Sequence, residues 1–171
     1  MSARLLTAVS IAALGLGGCA GYSHRFALPP GAEGARTIAI ELFKNKTLYT
    51  DVEFEFASAL QRDVCAKTPL AIASRGDADL VVTGSIDDYD RVVLREFESD
   101  DVARYSIVLR VSYTLTRLPS HGARERVVSS GEGLSRSAEY EVLSNQTESD
   151  ARAEAVRKIA RKVVSHMFET W

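Results

Sequence analysis

The chain has 171 residues, 46% of them hydrophobic and 26% charged, with a formal net charge of −2. These values suit one globular domain with short additions, and they exclude a general nucleic-acid binder, which needs a large basic excess to displace counterions. No apolar run reaches the roughly 18 residues of a spanning helix.

Met1 to Arg4 places one positive charge ahead of an apolar stretch, Leu5 to Leu16, the layout of an export signal. The stretch ends Leu16-Gly17-Gly18-Cys19, which resembles a bacterial lipobox: a branched aliphatic residue, two small residues that expose the backbone to a peptidase, and a cysteine sulfur able to take a diacylglycerol. Residues 1–18 therefore read as a lipoprotein signal peptide and Cys19 as the lipidated mature N-terminus; an ordinary secretory signal with a chance cysteine is the alternative. Several acyl chains, at about 0.8 kcal/mol per buried methylene, anchor a protein without spanning the bilayer. By resemblance to other bacterial lipoproteins, Ala20 in place of Asp after the cysteine implies the outer membrane.

Residues 19–36 carry Gly21, Pro29, Pro30, Gly31 and Gly34 among few large apolar residues, which predicts a lipid-anchored tether. A single α+β domain is expected over 37–171. Thr37 to Phe43 has Ile38, Ile40 and Leu42 on one face of a strand, and Asn45-Lys46-Thr47 turns the chain. Thr50-Asp51-Val52-Glu53 has the spacing of a capping box. It predicts a helix from Val52 to Lys67, with Phe56, Leu60 and Val64 as its apolar stripe and Pro69 closing it.

Leu80 to Leu94 reads as a long β stretch whose phase breaks at Asp87-Asp88-Tyr89-Asp90, so a bulge, a bend or two shorter strands is expected. Glu96 to Asp101 is acidic and turn-like. Tyr105 to Leu115 then alternates more cleanly than any other stretch: Tyr105, Ile107, Leu109, Val111, Tyr113 and Leu115 face one way, and Ser106, Val108, Arg110, Ser112 and Thr114 the other. A turn at Leu118 to Gly122 leads to a last strand, Glu125 to Arg136, in which Gly131 and Gly133 leave the register open. Thr147 to Glu169 is helical in period, with Ala155, Val156, Ile159, Ala160, Val163, Val164, Met167 and Phe168 as its stripe and Trp171 beyond. That helix is about 35 Å long, and the central strand about 36 Å, so one can lie along the other. The predicted fold is a two-layer α+β sandwich, β-α-β-β-β-α, with two helices packed on one face of a four-stranded, mainly antiparallel sheet.

Catalytic constellations are missing. His24, His121 and His166 lie far apart in sequence, and there is no nucleophile elbow, P-loop or complete dinucleotide fingerprint. Asp87, Asp88 and Asp90 lack the offsets of a calcium loop, and Cys65 reads as a small buried hydrophobe. No enzyme, metal or other cofactor is expected. Arg152, Arg157, Lys158, Arg161 and Lys162 line the outer side of the last helix, while Arg104, Arg110, Arg117, Arg124, Arg126 and Arg136 gather on or near the last two strands. Guanidinium forks suit phosphate and carboxylate groups, so Arg110 and Arg126 are candidate contacts to an anionic glycolipid or acidic wall; a solvated face is the alternative.

Cys19-Ala20-Gly21-Tyr22, Leu28-Pro29, Thr37-Ile38-Ala39-Ile40, Phe43-Lys44-Asn45-Lys46-Thr47, Ala78-Asp79-Leu80-Val81-Val82-Thr83-Gly84 and the alanine-rich last helix together resemble the lipopolysaccharide-assembly lipoprotein family, LptE. The resemblance covers nearly all of the chain after Cys19. It implies a non-enzymatic plug inside a large outer-membrane β-barrel, LptD, that supports barrel assembly and lipopolysaccharide delivery to the outer leaflet, with Cys19 as the lipidated residue. A periplasm-facing regulator or secretion-channel lipoprotein, similar to activators of peptidoglycan synthases, shares the Phe43-to-Thr47 pattern and is the rival reading.

Overall fold

Two helices cover one face of a twisted sheet in the computed structural model, which describes residues 26–96, 103–119, 124–141 and 147–168. The signal peptide, Cys19, His24, His121, the acidic run after Glu96 and Trp171 lie outside the described residues. The chain runs β1 (Thr37–Ile40), β2 (Lys44–Asn45), α1 (Val52–Lys67), β3 (Ala71–Ile72), a 3-10 turn at Arg75–Asp77, β4 (Leu80–Glu96), β5 (Ala103–Arg117), β6 (Arg126–Glu141) and α2 (Glu148–Phe168).

The four expected strands are present, but the sheet has six, in the order β3-β1-β4-β5-β6 with β2 also on β4. The two additions, β2 and β3, are two residues each, too short to show alternation. They pair in parallel, as β1 does with β4, whereas β4, β5 and β6 form an antiparallel meander. The first strand ends at Ile40, earlier than expected, and leaves Leu42 exposed. The phase break in β4 resolves as a bulge: Ile86 faces Val111 and Asp88 faces Arg110, so Asp87 is the extra residue and one strand continues to Glu96.

The core is the inward side of β5 against α2. Ile107, Leu109, Val111, Tyr113 and Leu115 are buried, as are all eight predicted stripe residues of α2. Tyr105 is half-buried, stacked on Tyr140 at 5.3 Å. From α1, Val52, Phe56, Ala59, Leu60 and Val64 complete the layer. Cys65 is exposed, against expectation: it lies about 100° around the helix from Val64, off the buried stripe. The last part of the expected tether is packed. Ala32 and Ala35 are buried in the core, the Phe26 amide donates to the Lys67 carbonyl at 2.7 Å, and Arg117 donates to the carbonyls of Gly31 and Glu33.

The expected capping box at Thr50 does not form. The cap of α1 is Asp51, with φ 69° and no side-chain cap bond, which puts Thr50 one residue too early, and Glu53 instead accepts from Asn45 Nδ2 at 2.7 Å. The reciprocal box sits on α2, where Asp150 N donates to Thr147 Oγ1 at 3.2 Å and Thr147 N donates to Asp150 Oδ2 at 3.0 Å. Where the helices begin, Tyr49 stacks on Tyr89 at 3.9 Å, Arg152 meets Glu55 at 2.8 Å and Arg91 meets Glu148 at 3.1 Å. Burial, with Glu148 adding to it, pushes the Tyr89 hydroxyl up to about 12.

Candidate functional site

The Phe43-to-Thr47 stretch is a structural clamp. Asn45 Oδ1 accepts from the Thr47 amide and hydroxyl at 2.9 and 2.8 Å, closing the turn, and Asn45 Nδ2 donates to the Tyr49 carbonyl at 2.7 Å. The Phe43 ring packs against Gly84 and meets the Phe56 ring edge-on, with centroids 4.9 Å apart. This pattern positions α1 on the sheet; its residues are spent on packing and turn formation.

The sheet face away from the helices is open and rich in hydroxyls. Asp87, raised out of the β4 pleat by its bulge, gathers them: Lys46 Nζ at 2.7 Å and Ser85 Oγ at 2.6 Å donate to Oδ1, and Ser112 Oγ donates to Oδ2 at 2.5 Å. Burial raises its carboxyl, but these bonds outweigh burial and hold it below the ordinary carboxylate range. Asp87 is therefore a bulge residue with both carboxylate oxygens occupied. Among the described residues there is no group of three or more His, Cys, Asp or Glu able to hold a metal ion. Nor is any helix among them long and apolar enough to cross a membrane.

The structure separates the two arginines expected to act together. Arg110 stands exposed on the open face beside Gly133, without an acidic partner among the described residues. Arg126 pairs with Arg117 at the far end of β5, about 23 Å along the strand, on the helix side, where its guanidinium lies against Gly31. Cross-strand register sets the difference: Arg117 has the inward parity of Leu115 and carries Arg126 with it, whereas Arg110 has the outward one. Two bulges also interrupt β6. Val111 faces Leu134 while Tyr113 faces Gly131, and Leu115 faces Ser129 while Thr116 faces Val127. Each shift reverses parity, so the two cancel: Arg126 and Arg136 share the helix side, and only the stretch between the bulges, where Ser129 and Gly131 face inward, is out of phase with both ends. Gly133, with φ +61°, forms the first bulge.

Arg136, opposite inward-facing Leu109, likewise lies on the helix side of the sheet edge. There it shares a groove of about 800 Å³ with Lys158, Arg161, Lys162 and His166 of α2. Sequence periodicity marks the helix cations as one outer side, but gives no sign that Arg136 joins them, because that follows from its pairing with Leu109. His166 Nδ1 lies 2.7 Å from the Tyr113 hydroxyl, which is 3.0 Å from Ser129 Oγ.

The fold is shared with known structures of low identity. The hypothetical protein CT253 from Chlamydia trachomatis superposes with a TM-score of 0.51 at 11% identity, covering 77% of this chain and 97% of its own. The PelC dodecamer subunit from Paraburkholderia phytofirmans gives 0.50 at 16% identity, covering 86% and 97%. Lipoprotein B from Nitrosomonas europaea gives 0.46 at 18% identity, covering 85% and 88%. No curated protein matches the chain in sequence. The family model for lipopolysaccharide assembly, LptE, matches residues 35–167, from the buried Ala35 through β6 to the last turn of α2, and the chain belongs to that family.

Proposed function

We propose that this chain is an outer-membrane lipoprotein, anchored through Cys19 and facing the periplasm, that plugs and supports assembly of an LptD-type β-barrel and assists lipopolysaccharide insertion into the outer leaflet. Family membership over residues 35–167 carries the reading. The surface agrees with it in kind: the lumen of a large barrel is polar, and the open sheet face offers hydroxyls, the Asp87 network and Arg110. On this reading the protein is a non-enzymatic scaffold needing no cofactor. Of the two candidate arginines, Arg110 is the one able to meet glycolipid phosphate from the open face, and Arg126 acts elsewhere.

Affinity purification of the full chain from its own envelope tests the partner. A large β-barrel retained with the chain is the expected result. Recovery of a peptidoglycan synthase without a barrel would replace this reading with that of an envelope-enzyme regulator.

A further inference from the structure

The free backbone edges of the sheet are not protected alike. β3 offers an edge of only two residues, and on β6 the carbonyls of Ser135 and Ser137 accept from Lys162 Nζ and Lys158 Nζ of α2 at 3.3 and 3.4 Å, so both edges are blunted. The outer side of β4 is different. Its last backbone bond on that side runs from the Lys46 amide to the Ile86 carbonyl at 3.1 Å, just past the end of β2. From Asp88 to Glu96 the backbone pairs only with β5 among the described residues, which leaves an unpaired edge of about 30 Å.

That edge is apolar on both faces of the pleat. Val92, Val93 and Leu94 are 43 to 47% exposed; Val92 opposes Ser106, which has the outward parity of β5, and Val93 opposes Tyr105, which has the inward one. An exposed edge strand bearing such residues is a template for a further strand. Its charge is selective. The outward row of β4 reads Asp88, Asp90, Val92, opposite Arg110, Val108 and Ser106. Asp90 is exposed and Asp88 half-buried. Unlike Asp87, which holds Lys46, neither has an ion-pair partner among the described residues. Like charges directly opposite each other destabilise a strand pair and opposite charges stabilise it, so this edge repels an acidic strand and favours a basic one.

We propose that the outer edge of β4 from Asp88 onward docks an extended basic segment of a partner protein by strand addition. Directly opposed residues share a face of the sheet, so basic residues two apart on the incoming strand stand against Asp88 and Asp90 together, while main-chain bonds complete the ladder. Apolar residues at the alternate positions cover Val93. A second copy of this chain fits poorly, because it presents the same row of Asp88, Asp90 and Val92, with no cation in it. The inference goes beyond the proposed function: it requires neither a barrel nor a glycolipid, and its test succeeds or fails without them.

The test follows amide hydrogen exchange of the full chain in a nonionic detergent during titration with a short blocked peptide that alternates lysine and valine. Two further probes are the same peptide with glutamate in place of lysine, and the lysine peptide N-methylated at adjacent central residues, which removes a donor from each of its edges. The lysine peptide should slow exchange within residues 88–96, and the other two should not. Asp88→Lys/Asp90→Lys should weaken the lysine peptide about tenfold and admit the glutamate peptide instead. If that variant fails to fold, Asp90→Asn, at an exposed position, should still weaken the lysine peptide about threefold. Absence of slowing, slowing confined to another part of the chain, an equal effect of the N-methylated peptide, or an unchanged preference in the charge-reversed variant overturns the site. Exchange within 88–96 that is slow in the chain alone and quickens on dilution assigns the edge to a second copy and overturns the partner as well.

Discussion

Gly84→Ala should be among the most damaging single-methyl additions in this protein. A Cβ at that position would stand 2.3 Å from Phe43 Cε1, 2.8 Å from Phe43 Cδ1 and 2.3 Å from the Ser112 carbonyl oxygen of the neighbouring strand. Ordinary carbon contacts begin near 3.5 Å, so the ring and the strand must each yield by about 1 Å. The ring has nowhere to go, since Phe43 is 1% exposed and braced by Phe56, and the oxygen is fixed by the β4–β5 ladder. Overpacking alone costs about 1 to 3 kcal/mol, and expelling the ring forfeits burial of a phenylalanine, about 3 to 5 kcal/mol when it is truncated. A loss of about 3 to 5 kcal/mol follows, a large share of a typical domain's stability. Urea unfolding monitored by circular dichroism reads it directly. Phe43→Leu in the Gly84→Ala background should cost less than Phe43→Leu alone, because one clash is shared. A loss below about 1 kcal/mol for Gly84→Ala, or strict additivity of the pair, would refute the close-contact reasoning.

Asp79 ties β1 to β4 by accepting from the Arg36 and Thr37 amides at 2.7 and 3.0 Å. The Arg36 bond, outweighing burial and helped by Thr37, holds its carboxyl below the ordinary 3.8. Such a group stabilises the fold above its unfolded value and loses that contribution as pH falls through the folded one, so Asp79→Asn should cost about 1 to 3 kcal/mol at neutral pH and progressively less below about pH 4, read from unfolding midpoints. Leu109→Ala should cost about 2 to 5 kcal/mol. Ser112→Ala, on the open face, should cost about 1 to 2 kcal/mol because it strips a bond from Asp87 and one from the Gly133 amide; denaturant titration separates the two. Mass spectrometry of the membrane form should find an acylated Cys19 at the N-terminus, and an intact Met1 or an unmodified Ala20 there would contradict the lipobox.

The helices and the central strand are legible in the sequence because each presents a long, uninterrupted period to a single core. α1 runs from Val52 to Lys67 as predicted, and the stripe of α2 is buried at every predicted position. What escapes periodicity is local or non-local by nature. Two-residue strands carry no period, a cap can shift by one residue when Asp51 takes a left-handed conformation, and the packing of Ala32 and Ala35 depends on small residues filling space beneath the sheet. The candidate site shows the cost most clearly. Alternation assigned Arg110 correctly to the open face, but the side taken by Arg126 and Arg136 follows from which β5 residues they oppose, Arg117 and Leu109, and that cross-strand register cannot be read from the spacing within one strand.

Delivery of lipopolysaccharide through a barrel partner is tested most directly by depleting this chain in its own cell and measuring lipopolysaccharide in the outer leaflet together with the amount of folded barrel. Both should fall together, and chain carrying the Gly84→Ala substitution should fail to restore them. Surface lipopolysaccharide and barrel held at their normal levels after depletion would contradict the role.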